Sequence, residues 1–591
     1  MVRSNRVLLP LLFLLAFALL PGLSLIGQGD AYLADAYSEL PVKIFGFELF
    51  PRVNFFGGHI SSISFPNSGP LNNADVLGTV VHLVLSPILG SAHAYNALVL
   101  LQLWLNMVAA WLLARDLTRD SRAALVAGVS FGLYPMVMAY CVAGAITDML
   151  NLWPYPLAIL FLMRALRRGT WGSAMAGGAF VGLGFVTCPY NAVVFSAFAV
   201  PFLLCLPFLM RSGWVPERDP MAHGRLGDWP LVIGAAVLGV ALSAGIYMLW
   251  LRGLMGAEDS QMASSYVDAT RHVAPYPSLT PQVEHRYTTF LMDYLAMGKD
   301  ELIVREAGSR YYRAFSVAFS LLALGLLGFV SSWRRRFTVG FWFVVALFFA
   351  LASAGPYLPV TEALSLNSPG NPVWLGLYHG LPGSGLILEP FRYALGVSLA
   401  LGLTAAVGVR ALQRRVGGWV GWVVPCVVVA EIALLSPVPV PLPTAKLQVD
   451  PAYAELDEYL APGAIIELPY LAEGSGRFVR QHFANQLVHG RAIPNEVMGF
   501  LPRYFIGNNF LRAVVRAERL SATIEIDPPV PAMIAVDRDR LHQDGFSAIV
   551  VDPELFAGPE QLEAALALLD PLGQPLHLHG RLIYSLATSS D

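Results

Sequence analysis

Long apolar runs alternate with short polar ones through the first three quarters of the chain. They predict eleven membrane helices, near residues 7–26, 94–115, 123–141, 147–165, 172–190, 191–211, 230–251, 312–332, 337–358, 391–412 and 418–436. Most are about 20 residues long, the length that crosses about 30 Å of hydrocarbon. The run 77–90, LGTVVHLVLSPILG, is as apolar but too short to cross, and is expected to be re-entrant or interfacial. Near 434–451, LLSPVPVPLPTAKLQVDP, the pattern changes, because its prolines disfavour helix and make a stiff linker. Beyond it AIIELP (464–469), FSAIVVDP (546–553) and RLIYSLA (581–587) read as strands. YAELDEYLA (453–461) and GPEQLEAALALLDPL (558–572) read as helices. The expected fold is therefore mainly α: a polytopic membrane domain, 1–436, followed by an extracytoplasmic α/β domain, 437–591.

Composition strengthens the membrane reading. Of 591 residues 55% are hydrophobic and only 13% charged, about half the charge of an ordinary soluble domain. A net charge of -3 argues against nucleic acid as a partner. Cys141, Cys188, Cys205 and Cys426 all fall in apolar runs without a C-x-x-C spacing, so they read as free buried thiols rather than zinc ligands or disulfides. Arg3 and Arg6 precede an apolar run longer than the core of a signal peptide, which favours an uncleaved first helix.

Arginine then sets sidedness. With the N-terminus in the cytoplasm, ARDLTRDSR, RALRRGTW, RSGWVPERDPMAHGR, SSWRRRF and RALQRRVGG all face inward. That holds only if 77–90 does not cross. The long segments 27–93, 252–311 and 359–390, the loop VAGAITD and the C-terminal part then lie on the non-cytoplasmic side of the membrane. These segments hold most of the carboxylates and histidines, so candidate chemistry gathers there.

Asp30, in LIGQGDAYLADAYSEL, stands at the mouth of the first span, with Asp35 and Glu39 close behind. Asp75 follows a loop rich in Gly, Asn, Ser and Pro that also carries His59, and Asp148 opens a span in AITDMLNLWPYP. Asp148 stands equally where a helix cap would, and Asp35 and Asp75 read as surface or capping residues. Oxygen donors on adjoining loops, Asp148 and Asp30 first, could hold a divalent cation, Mg²⁺ or Mn²⁺. In 252–311, His285 and Arg286 beside Tyr276 and Tyr287 could hold a phosphate and stack a sugar, or form an ordinary solvated loop. Glu389 and Arg392 flank Pro390 in EPFRYALG, as a diphosphate clamp or a structural ion pair. The spans are nearly free of charge at their middles. Glu431 is the exception, read as an interhelical hydrogen-bond partner, while His482 and His489 read as surface residues.

QGDAYLADAY, the block SGPLNNADVLGTVVHLVLSPILGSAHAYNALVLLQLWLNMVAAWLLARDLTRDSRAALVAGVSFGLYP, EPFRYALG and the IIELPY tail together resemble the GT-C superfamily of polytopic glycosyltransferases. The likeness is to bacterial members related to dolichyl-phosphate-mannose-type and lipid-A-sugar transferases. It implies transfer of a sugar from a polyprenyl-phosphate carrier, with inversion, to a glycan, lipid or protein acceptor outside the cytoplasmic (inner) membrane of a bacterium. It implies Asp30 as the first-loop acid and general base, and Asp148 as the acid of the next outer loop. Arg392, His285 and Arg286 would meet the leaving phosphate. The chain has no contiguous D-x-D in 27–93. A flippase or transporter of a lipid-linked precursor is the alternative, although transporters keep ionisable groups near mid-membrane. A non-catalytic scaffold of the same build is a third reading.

Overall fold

The computed structural model describes residues 5–49, 59–60, 65–66, 69–70, 75–211, 233–242, 316–356, 370–381, 390–470, 477–495, 503–518 and 528–586, together with 245 and 294 and without 36–37, 169, 333–335, 448 and 557. The chain is mainly helical. In order come α1 (Asn5–Leu19), α2 (Leu40–Leu49), α3 (Val76–Leu89), α4 (Ser91–Thr118), α5 (Leu125–Gly132), α6 (Thr147–Leu150), α7 (Pro154–Arg168), α8 (Trp171–Thr187), α9 (Pro189–Ser196) and α10 (Ala199–Arg211). The helices Phe319–Ser331, Arg336–Ser353, Ala394–Val416 and Val420–Leu435 complete the apolar bundle.

Among the described residues four helices are long and apolar enough to cross a membrane: Val7–Leu25, Ser91–Thr118, Thr147–Leu166 and Pro390–Val416. A fifth span results if α5 and the π-helical segment Val137–Ala143, bent by 51°, count as one. The eleven expected runs are thus not eleven straight spans. The run 123–141 breaks after Gly132 just before Pro135, and the run 191–211 breaks between α9 and α10 just before Pro201. Proline cannot continue a helix without losing a hydrogen bond and meeting the preceding turn. The run 77–90 is the 14-residue α3, about 21 Å long. Gly90, at φ 79, turns it directly into α4.

The core sits around α4, which packs on α1, α3, α5, α7 and Ala394–Val416. Ala394–Val416 lies close against Phe319–Ser331: a β-carbon at Gly408 would stand 1.9 Å from the Leu324 carbonyl oxygen. Small residues allow such backbone approach between apolar helices. Glu431 caps the same neighbour, accepting from the backbone N–H of Phe319 and from that of Ser320 at 3.1 Å. It is an interhelical hydrogen-bond partner.

The C-terminal region builds a four-stranded sheet in the order β3 (Ala464–Leu468), β4 (Phe546–Val551), β6 (Arg581–Ser585), β5 (Leu576–Leu578). A small two-stranded pair, β1 (His59–Ile60) and β2 (Gly69–Pro70), lies in the 27–93 segment. β3 and β4 run parallel, with Ile466 opposite Ile549; β6 pairs antiparallel with β4 and with β5. A parallel pair needs a crossover, and here it contains the helices Arg477–His489, Asn509–Ala517 and Pro531–Gln543. The expected helices appear as Ala452–Tyr459 and Pro559–Leu569. Arg491 ties the region together. Its guanidinium donates to Asp457 Oδ1 at 2.7 Å and to the carbonyls of Leu460, at 3.0 Å, and Ala461, at 2.6 Å.

His482 and His489 are buried, not surface residues. They lie on the face of Arg477–His489 that meets β3, with Asn485 and Gln486 at helical spacing. That inner face is polar because β3 carries a buried carboxylate. Glu467 accepts from Asn485 Nδ2 at 2.6 Å and has His489 Nε2 at 3.6 Å, while His482 Nδ1 pairs with Asn495 Nδ2 at 2.9 Å. Burial pushes the His482 imidazole below its usual range.

Candidate functional site

Three amides on α4 organise the site. Asn96 accepts from Leu33 N–H at 2.7 Å and donates to the Ala31 carbonyl at 2.8 Å. Gln102 donates to Asn151 Oδ1 at 2.9 Å. Asn106 donates to the Leu150 carbonyl at 2.8 Å and accepts from Leu152 N–H at 3.1 Å. All three are buried. In an apolar setting a backbone group outside regular helix must find such partners. One span therefore fixes two separate irregular segments, 31–33 and 150–152. Asn191 on α9 adds a bond to the Met149 carbonyl at 2.9 Å.

The chain just beyond the first segment also bonds the chain just before the second. Asp35 N–H donates to the Ala143 carbonyl at 2.7 Å, and Glu39 N–H to the Gly144 carbonyl at 3.0 Å. Ala145, at φ 57, turns the chain from the π-helical segment into α6. Left-handed backbone at a residue with a β-carbon is strained, and such strain collects at functional sites.

This frame presents Asp148 in the first turn of α6, where Ile146 and not Asp148 holds the capping position. Asp148 is buried, with Lys43 Nζ of α2 at 2.5 Å from Oδ1 and Cys188 Sγ at 3.9 Å from Oδ2. The side chains of Lys43 and Asp148 are only 11% and 8% exposed. Burial alone would lower the Lys43 pKa; the carboxylates of Asp148, Glu39 and Asp75 outweigh it and raise it, so the ammonium stays charged. Asp75 is the N-cap of α3, accepting from Gly78 N–H at 2.7 Å. Its Oδ1 also accepts from Asn151 Nδ2 at 3.1 Å. A β-carbon at Gly78 would fall 2.2 Å from the Asp75 carboxylate, so that position has room only for glycine. Asp75 is thus a cap, fully buried rather than on the surface.

Arg392 opens the long span Pro390–Val416. Its Nη2 donates to Tyr140 Oη at 2.9 Å, and its guanidinium lies 5.8 Å from the Tyr140 ring centre and 4.7 Å from that of Tyr190. Aromatic faces hold the guanidinium plane while its edge can meet an anion. Asp148, Arg392 and Lys43 all lie within electrostatic reach of Cys188, at the α8–α9 junction two residues before Tyr190.

Asp30 is exposed on the turn after the first span, and no hydrogen bond or ion pair joins it to Asp148 or Arg392 among the described residues. Asp35 is half-buried. His285, Arg286 and Glu389 lie outside the described residues. Among the described residues no group of three or more His, Cys, Asp or Glu could hold a metal ion. With an ammonium on one oxygen and a thiol beside the other, the surroundings of Asp148 do not suit a divalent cation.

Lys43 and the amides were not among the residues expected from sequence. Lys43 left a trace: it is one of three lysines among 38 basic residues, and it interrupts an apolar stretch, LPVKIFGF. The amides left another, since Asn96, Gln102 and Asn106 are polar positions inside an otherwise apolar span. A buried polar group in an apolar span is costly unless it is bonded, so each such position marks a contact the fold requires.

These observations define a polytopic helical protein with a buried charged site at one end of its bundle. Residues 91–226 match the family model of dolichyl-phosphate-mannose-protein mannosyltransferase. That match supports the resemblance to GT-C membrane glycosyltransferases seen in the sequence. No curated protein matches the chain. Among solved structures, the archaeal oligosaccharyltransferase AglB from Archaeoglobus fulgidus, in complex with an inhibitory peptide and a dolichol-phosphate, is 12% identical. That likeness has a TM-score of 0.39 and covers 92% of this chain and 69% of AglB. ArnT from Cupriavidus metallidurans in the apo state is 13% identical, at a TM-score of 0.36, over 100% of this chain and 99% of ArnT. Likenesses of that size define neither activity nor substrate.

Proposed function

We propose that this chain is a GT-C-type membrane glycosyltransferase that moves a sugar from a polyprenyl-phosphate donor to an acceptor on the non-cytoplasmic face. The observation that supports it best is the buried Lys43–Asp148 pair, with Arg392 held on two tyrosine rings nearby, at the edge of an apolar bundle. A polyprenyl tail stays in the bilayer and brings its phosphate to that boundary. Arg392 and Lys43 offer the charge that a leaving phosphate develops. Asp148 keeps Lys43 charged and placed until the donor arrives.

In the reaction an acceptor hydroxyl oxygen attacks the anomeric carbon. The bond from that carbon to the phosphate oxygen breaks with inversion, and its electrons leave with the polyprenyl phosphate. Exposed Asp30 takes the hydroxyl proton as general base. Such a base contributes typically about 10²- to 10⁴-fold. Transfer of a radiolabelled sugar from a polyprenyl-phosphate donor, assayed in proteoliposomes, tests the reading. Asp30→Asn is expected to abolish transfer at normal expression, and Arg392→Ala to raise KM for the donor. Wild-type protein that moves the intact lipid-linked sugar across the bilayer without transferring it is a flippase, and the proposal then fails.

A further inference from the structure

We infer that the C-terminal region is a working part of the site, because it positions α2 and, through it, Lys43. The inference deepens the reading just proposed, and its consequence for transfer rests on that reading.

At 3.6 residues per turn Lys43 and Phe45 point about 200° apart on α2. Lys43 reaches Asp148 of α6. Phe45, 1% exposed, belongs instead to the apolar core of the C-terminal region, where its ring centre lies 5.0 Å from that of Phe483. Val42 packs against the same core. α2 is thus a strut with a charge in the bundle and a ring in the C-terminal core.

The far end of the strut is fixed. Phe483 lies on Arg477–His489, which Asn485 and His489 tie to Glu467 of β3. A second seam runs beside it. Phe65 N–H donates to the Ile493 carbonyl at 3.1 Å, and its ring meets Phe546 edge-on at 5.1 Å. A third is the bridge between Tyr32 and Ala445.

A ten-residue helix that contains a glycine does not hold itself in water. The α3–α4 corner gives α2 two further contacts: Phe47 stacks on His82 at 4.9 Å, and Glu48 accepts from Ser91 Oγ at 2.8 Å. Leu40 and Ile44, on either side of Lys43, are buried in the bundle core as well, so that core grips one face of the turn that carries Lys43. An ammonium reaches a buried carboxylate only if its helix is held there, and Phe45, with Val42, closes that hold from the C-terminal side. Phe45 and Phe483 are therefore positioning residues.

The test is amide hydrogen exchange on the full chain in detergent micelles, read on the 40–49 segment, beside the transfer assay. Phe483→Ala is expected to speed exchange across 40–49 by about tenfold or more while segments of α4 stay protected. KM for the lipid donor rises with it, and Phe483→Leu restores both. Ile583→Ala removes a buried side chain from the same core on β6, whose neighbours are β4 and β5. It is the control, expected to leave 40–49 unchanged. Exchange in 40–49 that does not respond to Phe483→Ala, or responds equally to Ile583→Ala, overturns the inference. Exchange that responds in a protein with no transferase activity upholds the strut and removes the glycosyltransferase reading alone.

Discussion

Replacing Lys43 by Met leaves Asp148 buried without its ammonium. The two groups stand 2.5 Å apart and are 11% and 8% exposed. At an effective dielectric of about 20 their gross attraction is about 7 kcal/mol, most of which offsets the cost of taking both charges out of water. Removing one partner of such a pair costs about 3–5 kcal/mol, because the other charge stays behind. The neighbours make the two single variants unequal. Without Asp148, Lys43 still has Glu39 and Asp75 near it. Without Lys43, the one side-chain contact left to Asp148 among the described residues is the weak one with Cys188. Lys43→Met is therefore expected to cost about 3–5 kcal/mol and Asp148→Leu less, whereas the double variant falls within about 1 kcal/mol of wild type. Reversible unfolding in mixed micelles titrated with dodecyl sulfate measures all four corners of the cycle. Single variants indistinguishable from wild type, or a double variant equal to the sum of the singles, would refute a buried and coupled pair.

Three further outcomes follow from the same coordinates. Gly408→Ala would bring a methyl group to 1.9 Å from the Leu324 carbonyl, so it should lower the melting temperature, at a cost of about 1–3 kcal/mol. Gly376→Ala, with open space around it, should not. Asp75→Ala removes the cap of α3 and the acceptor of Asn151. It should cost about 0.5–2 kcal/mol for the cap alone and, by loosening α6, lower transfer; a thermal melt beside the transfer assay checks both. Buried His482 has its pKa lowered in the fold by burial, while Glu467, His489, Asn495 and the Tyr470 ring face it. The unfolded chain therefore takes up that proton first as pH falls. Its contribution is complete above about pH 6.5 and declines below, by up to about 1.4 kcal/mol per pH unit. Melting temperatures measured from about pH 8 to 5 should fall at the acid end, and less steeply in His482→Gln.

Apolar runs, the proline-rich change near 434–451 and the short β-rich segments after it were enough to expect a helical bundle followed by α/β structure. The reason is that burial follows side-chain chemistry, and period reports it directly. Helix breaks at Pro135 and before Pro201 were also visible in principle, as residues that cannot continue a helix. Asp148 and Arg392 could be singled out because a charge at the end of an apolar run is costly and rare. Which groups meet them could not. Lys43 lies 105 positions from Asp148, and nothing local to LPVKIFGF names its partner. The buried histidines show the limit from the other side. His482 and His489 sit on a polar helix face, and such a face looks solvent-exposed until β3 supplies Glu467 beneath it. Hydropathy is a property of each residue and its near neighbours, so the chain alone determines which stretches leave water. Pairing between distant charges depends on how the loops close over the bundle, and only the tertiary structure decides that.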